Sequence, residues 1–315
     1  MKLSIVVPCF NEEESLPEFW KEASAVTDKL NVNTEYIFVD DGSHDETVSI
    51  LKKLEIENKG KVSWLSFSRN FGKEAAIYAG LQYTSGDYVA IMDADLQDPP
   101  EMIPRMLDYV VNGDWDCAAA YRVSRKGEPP VKSWFSNKFY DVSNKICEVQ
   151  IRNGARDFRM MSRQMVNAIL ADDERCRFSK GIFPWVGFRT IWIGYENVER
   201  KAGTTKWNFT KLAKYAVDGL LAYSTVPLDA VSITGAASVP ACGAALLLGA
   251  AGVLPAAPAL LGAGIFMLSA QNGVQTAYLK RIYKEVKHRP IYIVREAGGF
   301  GDSHVFDFDD DWDRS

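Results

Sequence analysis

The first hundred residues alternate apolar runs with polar segments of helical length. Four apolar runs are typical of strands buried on both faces, at 3–10, 36–41, 62–67 and 88–95. Between them the sequence predicts a helix capped by Asn11, a helix from Ser43 through Lys53 and a helix over 72–84. Repeated strand–helix units with short connections predict an α/β domain whose sheet is mostly parallel, with helices on both faces.

A different pattern covers residues 230–279, where no Asp, Glu, Lys or Arg occurs. As a helix this run would be roughly 75 Å long, far more than the ~30 Å needed to cross a bilayer once. Pro255 and Pro258 interrupt it near the middle. The pattern therefore predicts two transmembrane helices, 230–253 and 258–279, joined by a short turn. The alternative, a buried hairpin in a soluble protein, is disfavoured because soluble helices almost always have a polar face.

Basic residues flank this apolar run on both sides. They are Lys206, Lys211 and Lys214 before it, and Lys280, Arg281, Lys284, Lys287 and Arg289 after it. The positive-inside rule places both flanks in the cytoplasm. Met1 and Lys2 lead straight into an apolar strand, so no signal peptide is expected. The sequence thus predicts a multi-pass protein of the plasma (inner) membrane with its α/β domain in the cytoplasm.

Four regions follow from these patterns. Residues 1–205 form the α/β domain, 206–228 an amphipathic interfacial helix, 229–279 the transmembrane pair and 280–315 a cytoplasmic C-terminal tail. For the amphipathic segment, an ordinary core helix is the alternative.

Composition excludes several classes of protein. The 36 basic and 41 acidic residues give a net charge of −5, which does not favour nucleic-acid binding. The five cysteines are scattered and never spaced as C-x-x-C, so neither a disulfide framework nor a zinc cluster is expected. Three histidines are too few for a His-rich metal site.

Carboxylates follow the predicted strands where parallel sheets bind ligands. Asp40 and Asp41 end the second strand, and Asp93, Asp95 and Gln97 come at the end of the fourth. Such oxygen donors suit Mg²⁺ or Mn²⁺, which usually bind one or two carboxylates plus substrate phosphates. An ordinary acidic loop is the alternative for the D-x-D pair. No P-loop or G-x-G-x-x-G motif is present.

Several motifs together resemble one family. IVVPCFNEEESL, FVDDGSHDET and MDADLQDPPE occur in this order, followed by FSRNFGKEAAIYAGL, DFRMMSR, RKAGTTKWNFTKL and YLKRIYKEVKHRPIYIV. The chain resembles family 2 glycosyltransferases of the GT-A fold over about residues 2–295. Within them it is similar to the polyprenyl-phosphate glycosyltransferases, which include dolichyl-phosphate mannose synthases and bacterial undecaprenyl-phosphate glucosyltransferases. The implied fold is a Rossmann-like GT-A domain followed by interfacial helices and a two-helix transmembrane hairpin.

The resemblance implies transfer of a sugar from a nucleotide-diphosphate sugar, with UDP-sugars favoured, to a polyprenyl phosphate. It also implies inversion at the anomeric carbon and a reaction on the cytoplasmic leaflet. The predicted partners are the nucleotide sugar, the lipid and the membrane, with a homo-oligomer left open and no nucleic acid. A processive polysaccharide synthase and a catalytically inactive membrane adaptor are the alternatives.

Site residues fall into four groups. The predicted catalytic residues are Asp95 and Asp157, the latter being the family's nearest equivalent of a base. The predicted metal ligands are Asp93, Asp95 and Gln97. The predicted donor-binding residues are Pro8, Glu12, Asp40, Asp41, Arg69, Lys73, Asp93 and Arg122. The predicted acceptor-phosphate residues are Arg200, Lys201 and Lys206.

Four of these positions also have structural readings. Glu12 suits the positive end of a helix dipole, and Lys73 suits a solvated helix face. Asp41 suits a loop-shaping turn, and Asp157 suits a strand end.

Overall fold

The computed structural model describes residues 1–123, 138, 140–196, 209–252 and 257–301, without the side chains of 209–215, 250 and 257–263. The strands are β1 (Lys2–Cys9), β2 (Asn33–Asp40), β3 (Val62–Phe67), β4 (Tyr88–Ile91), β5 (Cys117–Arg122), β6 (Ala155–Ser162), β7 (Thr190–Tyr195) and β8 (Val294–Gly298). The helices are α1 (Leu16–Thr27), α2 (Thr47–Glu57), α3 (Lys73–Gln82), α4 (Ile103–Val111), α5 (Arg163–Ala171), α6 (Ser179–Trp185), α7 (Phe209–Ala222), α8 (Val226–Ala250) and α9 (Ala257–Val286).

These strands form one sheet in the order β7-β5-β6-β4-β1-β2-β3-β8. The central run from β4 to β3 is parallel, and β5 is parallel to β7. Antiparallel pairing occurs where β6 joins β4 and β5, and where β8 joins β3. The predicted α/β fold with a mostly parallel sheet is confirmed. The strand order reverses between β1 and β4, so a ligand crevice is expected at their carboxyl ends.

Burial on both faces explains why β1 is apolar without alternation. Ile5 and Val7 belong to the hydrophobic cluster that includes Phe19 of α1. Val6 points to the opposite face and packs in the cluster that includes Ile77 of α3. Each face of the central strands is therefore covered by helices, which forces apolar side chains at successive positions.

Several element boundaries differ from the sequence prediction, and three of them shape the loops at the carboxyl ends of the strands. Strand β4 ends at Ile91 rather than at residue 95, and Leu96 has a positive φ of 56°, because the chain turns away from the sheet. Helix α1 begins at Leu16, since Asn11 has a φ of 52° and its side chain accepts a hydrogen bond from the His44 N–H. Helix α2 begins at Thr47 rather than after Ser43. Local side-chain hydrogen bonds between these two loops replace the predicted caps.

A feature that the sequence did not predict is the return of the C-terminal segment to the sheet. Strand β8 pairs antiparallel with β3 and closes that edge. Just before it, the Ser68 N–H donates to the Ile293 carbonyl at 2.9 Å. The Tyr292 ring stacks on Phe67 with ring centroids 5.0 Å apart. The segment after α9 is thus part of the α/β domain's sheet.

Helices α8 and α9 form an antiparallel pair. The Gln271 amide donates to the Thr234 hydroxyl at 3.0 Å, and the Tyr278 hydroxyl donates to the Ser224 carbonyl at 2.5 Å. Within the described part of the chain, one helix is long and apolar enough to span a membrane, Val226–Gly249, and none of it is buried.

Candidate active site

Strand pairing brings the carboxylates after β4 close to β6. Strand β6 runs antiparallel to β4, with Ile91 opposite Arg159. Two residues further on from Ile91 and two residues back from Arg159, the same register brings Asp93 opposite Asp157. Helix α3 begins at Lys73, immediately after the loop that follows β3. This end of the sheet, where a ligand crevice is expected and which is called the crevice below, therefore collects groups from three separate parts of the sequence.

Lys73 bridges two carboxylates at the centre of this crevice. Its Nζ lies 2.6 Å from Asp93 Oδ1 and 2.6 Å from Asp157 Oδ2. Burial alone would lower the pKa of Lys73, but the two carboxylates raise it well above its ordinary value. Burial opposes ionisation of Asp157, yet the Lys73 ammonium and then the Lys180 ammonium hold its pKa well below its ordinary value. Lys73 thus does not lie on a solvated helix face.

A second ion pair, between Arg156 and Asp98, lies next to the cluster of Lys73, Asp93 and Asp157. The Arg156 guanidinium donates from Nε to Asp98 Oδ1 at 3.0 Å and lies 3.7 Å from Asp93. Asp98 is fully buried and also accepts a hydrogen bond from the Tyr195 hydroxyl. Burial, reinforced by Asp98, raises the pKa of Tyr195. Arg156 is therefore fixed between a structural carboxylate and Asp93.

The predicted metal ligands lie in the turn after β4. Asp95 is buried, and its Oδ1 accepts from the Gln97 N–H at 3.1 Å. Gln97 Oε1 accepts from Arg122 at 3.0 Å, so Arg122 reaches the same turn. Among the described residues, no group of three or more His, Cys, Asp or Glu side chains could hold a metal ion. The oxygen donors fit a hard cation that takes its remaining ligands from substrate phosphates.

The β1 and β2 ends form the other half of the crevice. Asp40 is fully buried and accepts from the Ser66 hydroxyl at 2.6 Å and from the Ser43 N–H at 3.1 Å. Pro8 lies beside it, paired in register with Val39. Glu12 accepts a hydrogen bond from the Ser15 hydroxyl, just before α1.

Asp41 connects the loop after β2 to the loop after β3. Its carboxylate accepts from the Phe71 N–H at 2.6 Å and from the Gly72 N–H at 3.0 Å. Gly42 has a φ of 71°, and a Cβ there would come within 2.5 Å of the Arg69 backbone. The Arg69 guanidinium stacks on Phe71, 4.2 Å from the ring centroid. Asp41 therefore shapes the loop that presents Arg69.

The ionisation of Asp41 should make stability depend on pH. Burial raises its pKa from 3.8 to about 6, against the two backbone hydrogen bonds. The raised pKa means that the folded state binds the Asp41 proton more tightly than the unfolded state does. The protonated carboxyl therefore favours folding near pH 4, and this contribution to the free energy of unfolding is lost as pH rises through about 6. Asp41→Asn mimics the protonated side chain. We expect it to match the wild type near pH 4 and to exceed its unfolding free energy by up to about 3 kcal/mol at pH 7.5.

Urea unfolding of the detergent-solubilised protein at the two pH values measures this difference. The matched control is Glu57→Gln, at an exposed carboxylate of α2. A difference between wild type and Asp41→Asn that is the same at both pH values would contradict the assignment.

The structure brings most of the predicted residues together. One side of the crevice holds Asp93, Asp95, Gln97, Arg122, Asp157 and Lys73. At or just beyond the carboxyl ends of β1, β2 and β3 lie Pro8, Glu12, Asp40, Asp41 and Arg69. Arg200, Lys201 and Lys206 lie outside the described residues. Sequence reasoning missed Asp98, Arg156 and Tyr195. Asp98 stands within MDADLQDPPE and Arg156 directly before Asp157, which was the available signal, whereas Tyr195 had none.

Comparison with known proteins adds to this geometry. The sequence model of Glycosyl transferase family 2 matches residues 4–170. An uncharacterized glycosyltransferase of Synechocystis sp. is 38% identical over 95% of this chain and 96% of its own. The bactoprenol glucosyl transferase of Shigella phage SfII is 39% identical over 94% of this chain and 98% of its own.

A solved structure shares the fold. The mannosyltransferase of Pyrobaculum calidifontis, in complex with GDP-Man and Mn²⁺, has a TM-score of 0.50 at 18% identity. The match covers 90% of this chain and 87% of the mannosyltransferase chain.

Proposed function

Because the chain belongs to glycosyl transferase family 2 and is a glycosyltransferase, we propose that it moves one sugar from a nucleotide-diphosphate sugar to a polyprenyl phosphate. The observation that carries the proposal is the position of Asp93, Asp95 and Asp157. They lie in the crevice at the carboxyl end of the sheet, in a domain onto which an apolar helical pair is docked through Glu285 and Ser224. Relatives named bactoprenol glucosyl transferases support both the lipid and the sugar, since bactoprenol is a polyprenol.

A divalent cation, Mg²⁺ or Mn²⁺, is part of the proposal. Asp95, assisted by Asp93 and Gln97, would hold it through oxygen atoms. When bound, the cation neutralises the negative charge that develops on the departing nucleoside diphosphate. Arg122, which donates to Gln97, would face the same phosphates. Asp40 would bind the nucleobase in the pocket beside Pro8.

The acceptor chemistry agrees with the charge state of Asp157. A phosphate monoester has its second pKa near 6, so the acceptor is already an anion and needs little deprotonation. Asp157 stays ionised because Lys73 holds its pKa low, which makes it a weak base. Asp157 would therefore orient the reacting centre rather than remove a proton. Direct attack by the acceptor oxygen in one displacement gives inversion at the anomeric carbon.

The donor is identified by testing membranes that contain the protein with labelled UDP-glucose, UDP-GlcNAc, UDP-galactose and GDP-mannose. We expect label to enter the organic phase with one donor, UDP-glucose being the first candidate, and only when undecaprenyl phosphate is added. Label in a water-soluble polymer would instead favour a processive synthase.

The membrane arrangement is a second part of the proposal. At the end of α9, Glu285 accepts from the Arg175 and Cys176 N–H groups at 3.0 and 2.8 Å, and Arg281 lies 3.3 Å from Glu174. At the start of α8, the Ser224 hydroxyl donates to the Ile146 carbonyl at 2.6 Å. Both ends of the pair thus contact the same α/β domain, which supports a two-span hairpin with both flanks cytoplasmic.

Apolar exposure along the pair supports the same arrangement. Large side chains on both helices point away from the protein, among them Ile233, Val239, Leu246, Leu247, Ile265, Phe266 and Leu268. Such a surface is expected where a helix faces lipid. The division at 205, 228 and 279 belongs to this proposal, with the last region completing α9 and returning to the sheet through β8. The proposal also includes Arg200, Lys201 and Lys206 as acceptor-phosphate ligands at the membrane surface.

Cysteine labelling tests the hairpin. In a variant without the five native cysteines, a cysteine at Arg295 should be labelled by a membrane-impermeant maleimide only after the cells are opened. A cysteine at Pro255 should be labelled in intact cells. The expectation for position 295 follows because Arg295 lies within β8, which pairs with β3 of the α/β domain. Labelling of both positions from the same side would exclude two spans.

A further inference from the structure

Lys180 lies in a short helix that packs against the first turn of α3, where Lys73 stands. Lys180 is in the first turn of α6 and is half-buried. The preceding residue, Ser179, donates from its N–H to Glu74 Oε2 at 2.8 Å and also from its hydroxyl. Glu74 follows Lys73 directly in α3. The start of α6 is therefore fixed against the turn that carries the central lysine.

The other side of α6 faces the helices that lead to the membrane. Gly219 of α7 lies against the Phe178 ring, where a Cβ would come within 2.6 Å. A Cβ at Gly181 would come within 2.1 Å of the ring of Tyr223, which lies between α7 and α8. Glycine at both positions lets α6 approach the membrane-proximal helices closely. The backbone at Lys180 thus lies between α3, which carries Lys73, and the segment of α7 and Tyr223 that leads to the membrane. The Lys180 ammonium also helps to lower the pKa of Asp157.

The charges of the crevice indicate why a cation at position 180 would matter for an anionic acceptor. Lys73 lies between Asp93 and Asp157, and Arg156 lies between Asp98 and Asp93, so the crevice holds three carboxylates beside these two cations. An anionic acceptor that approaches Asp157 would meet repulsion from that carboxylate. A cation on the membrane-proximal side is needed to offset it.

We propose that Lys180 binds the phosphate of the polyprenyl phosphate acceptor. This assignment rests on the proposed function and adds an acceptor-binding residue from a different part of the chain than Arg200, Lys201 and Lys206. The Lys180 ammonium supplies a point charge and hydrogen-bond donors for phosphate oxygens. A purely structural role, as a counter-ion of Asp157, is the competing explanation.

Kinetics with undecaprenyl phosphate in mixed micelles separate the two. At saturating nucleotide sugar, Lys180→Met should raise the KM for undecaprenyl phosphate roughly tenfold or more, as expected for a lost charge-assisted hydrogen bond. Lys180→Arg, which keeps the charge, should stay within about threefold of wild type. The affinity for the donor's nucleoside diphosphate, measured by calorimetry, should remain within about twofold in both variants. The control is Lys53→Met, at an exposed lysine of α2.

A measurement on the wild type needs no variant to fold. Undecaprenyl phosphate, but not undecaprenol, should protect Lys180 from acetic anhydride, while acetylation of Lys53 stays unchanged, as read by mass spectrometry. An unchanged KM in Lys180→Met, or a loss of nucleotide affinity without a change in KM, would overturn the assignment and leave the proposed function standing. If Lys180→Met does not fold, the absence of protection overturns it. If wild type shows no lipid-dependent transfer from any nucleotide sugar, the proposed function fails and this assignment with it.

Discussion

Asp95→Asn is expected to reduce sugar transfer by about a hundredfold or more, which corresponds to several kcal/mol of lost charge stabilisation in the transition state. The carboxylate is the main proposed ligand of the divalent cation. The substitution keeps an Oδ1 that can accept from the Gln97 N–H, as Asp95 does now. The fold should therefore be almost unchanged, and the loss should appear in turnover.

Turnover is measured with saturating donor over a titration of Mn²⁺ and of Mg²⁺, together with the thermal unfolding midpoint. Asp114→Asn, an exposed carboxylate before β5, is the matched control and should behave as wild type. Near-normal turnover of Asp95→Asn at saturating metal would defeat the assignment of Asp95 as the principal ligand.

Lys73→Met is expected to lower the free energy of unfolding by about 2–3 kcal/mol, because it leaves two carboxylates without their shared cation. The expected loss of unfolding free energy is moderate because about a third of the Lys73 side chain is exposed to solvent. Turnover should fall as well, since Asp93 and Asp157 would repel each other and move apart. Urea unfolding gives the stability, and the transfer assay gives the turnover.

A double variant isolates the interaction. Lys73→Met combined with Asp157→Asn should recover part of the lost stability, because one of the uncompensated charges is removed. The exposed Lys53→Met again serves as control. A stability change below about 0.5 kcal/mol in Lys73→Met would show that Lys73 is an ordinary surface lysine.

The central strands and the carboxylates at their ends could be predicted from the sequence. Strand β1 is buried on both faces, so its apolar residues are continuous and easily identified. Asp40 is the last residue of β2, and Asp93 comes two residues after β4 ends. In these cases the signal is local, because burial and position along the chain lie in the same short segment.

The network between the carboxylates could not be predicted in this way. The contact between Lys73 and Asp157 requires β6 to run antiparallel to β4, and nothing in either segment specifies that pairing. Strand β8 is short and contains charged residues, so its pairing with β3 depends on contacts from the distant end of the chain. Lys180 is close to Asp157 only after α6 has packed against α3.

The most direct test of the central claim uses purified protein, undecaprenyl phosphate, a divalent cation and the active nucleotide sugar. The account predicts that one nucleoside diphosphate is released for each sugar-linked lipid formed. The lipid's phosphorus resonance should change from a phosphate monoester to a sugar phosphodiester, with inverted anomeric configuration. Release of nucleoside diphosphate without lipid, or sugar accumulating on a growing polymer while the lipid phosphate stays a monoester, would contradict it.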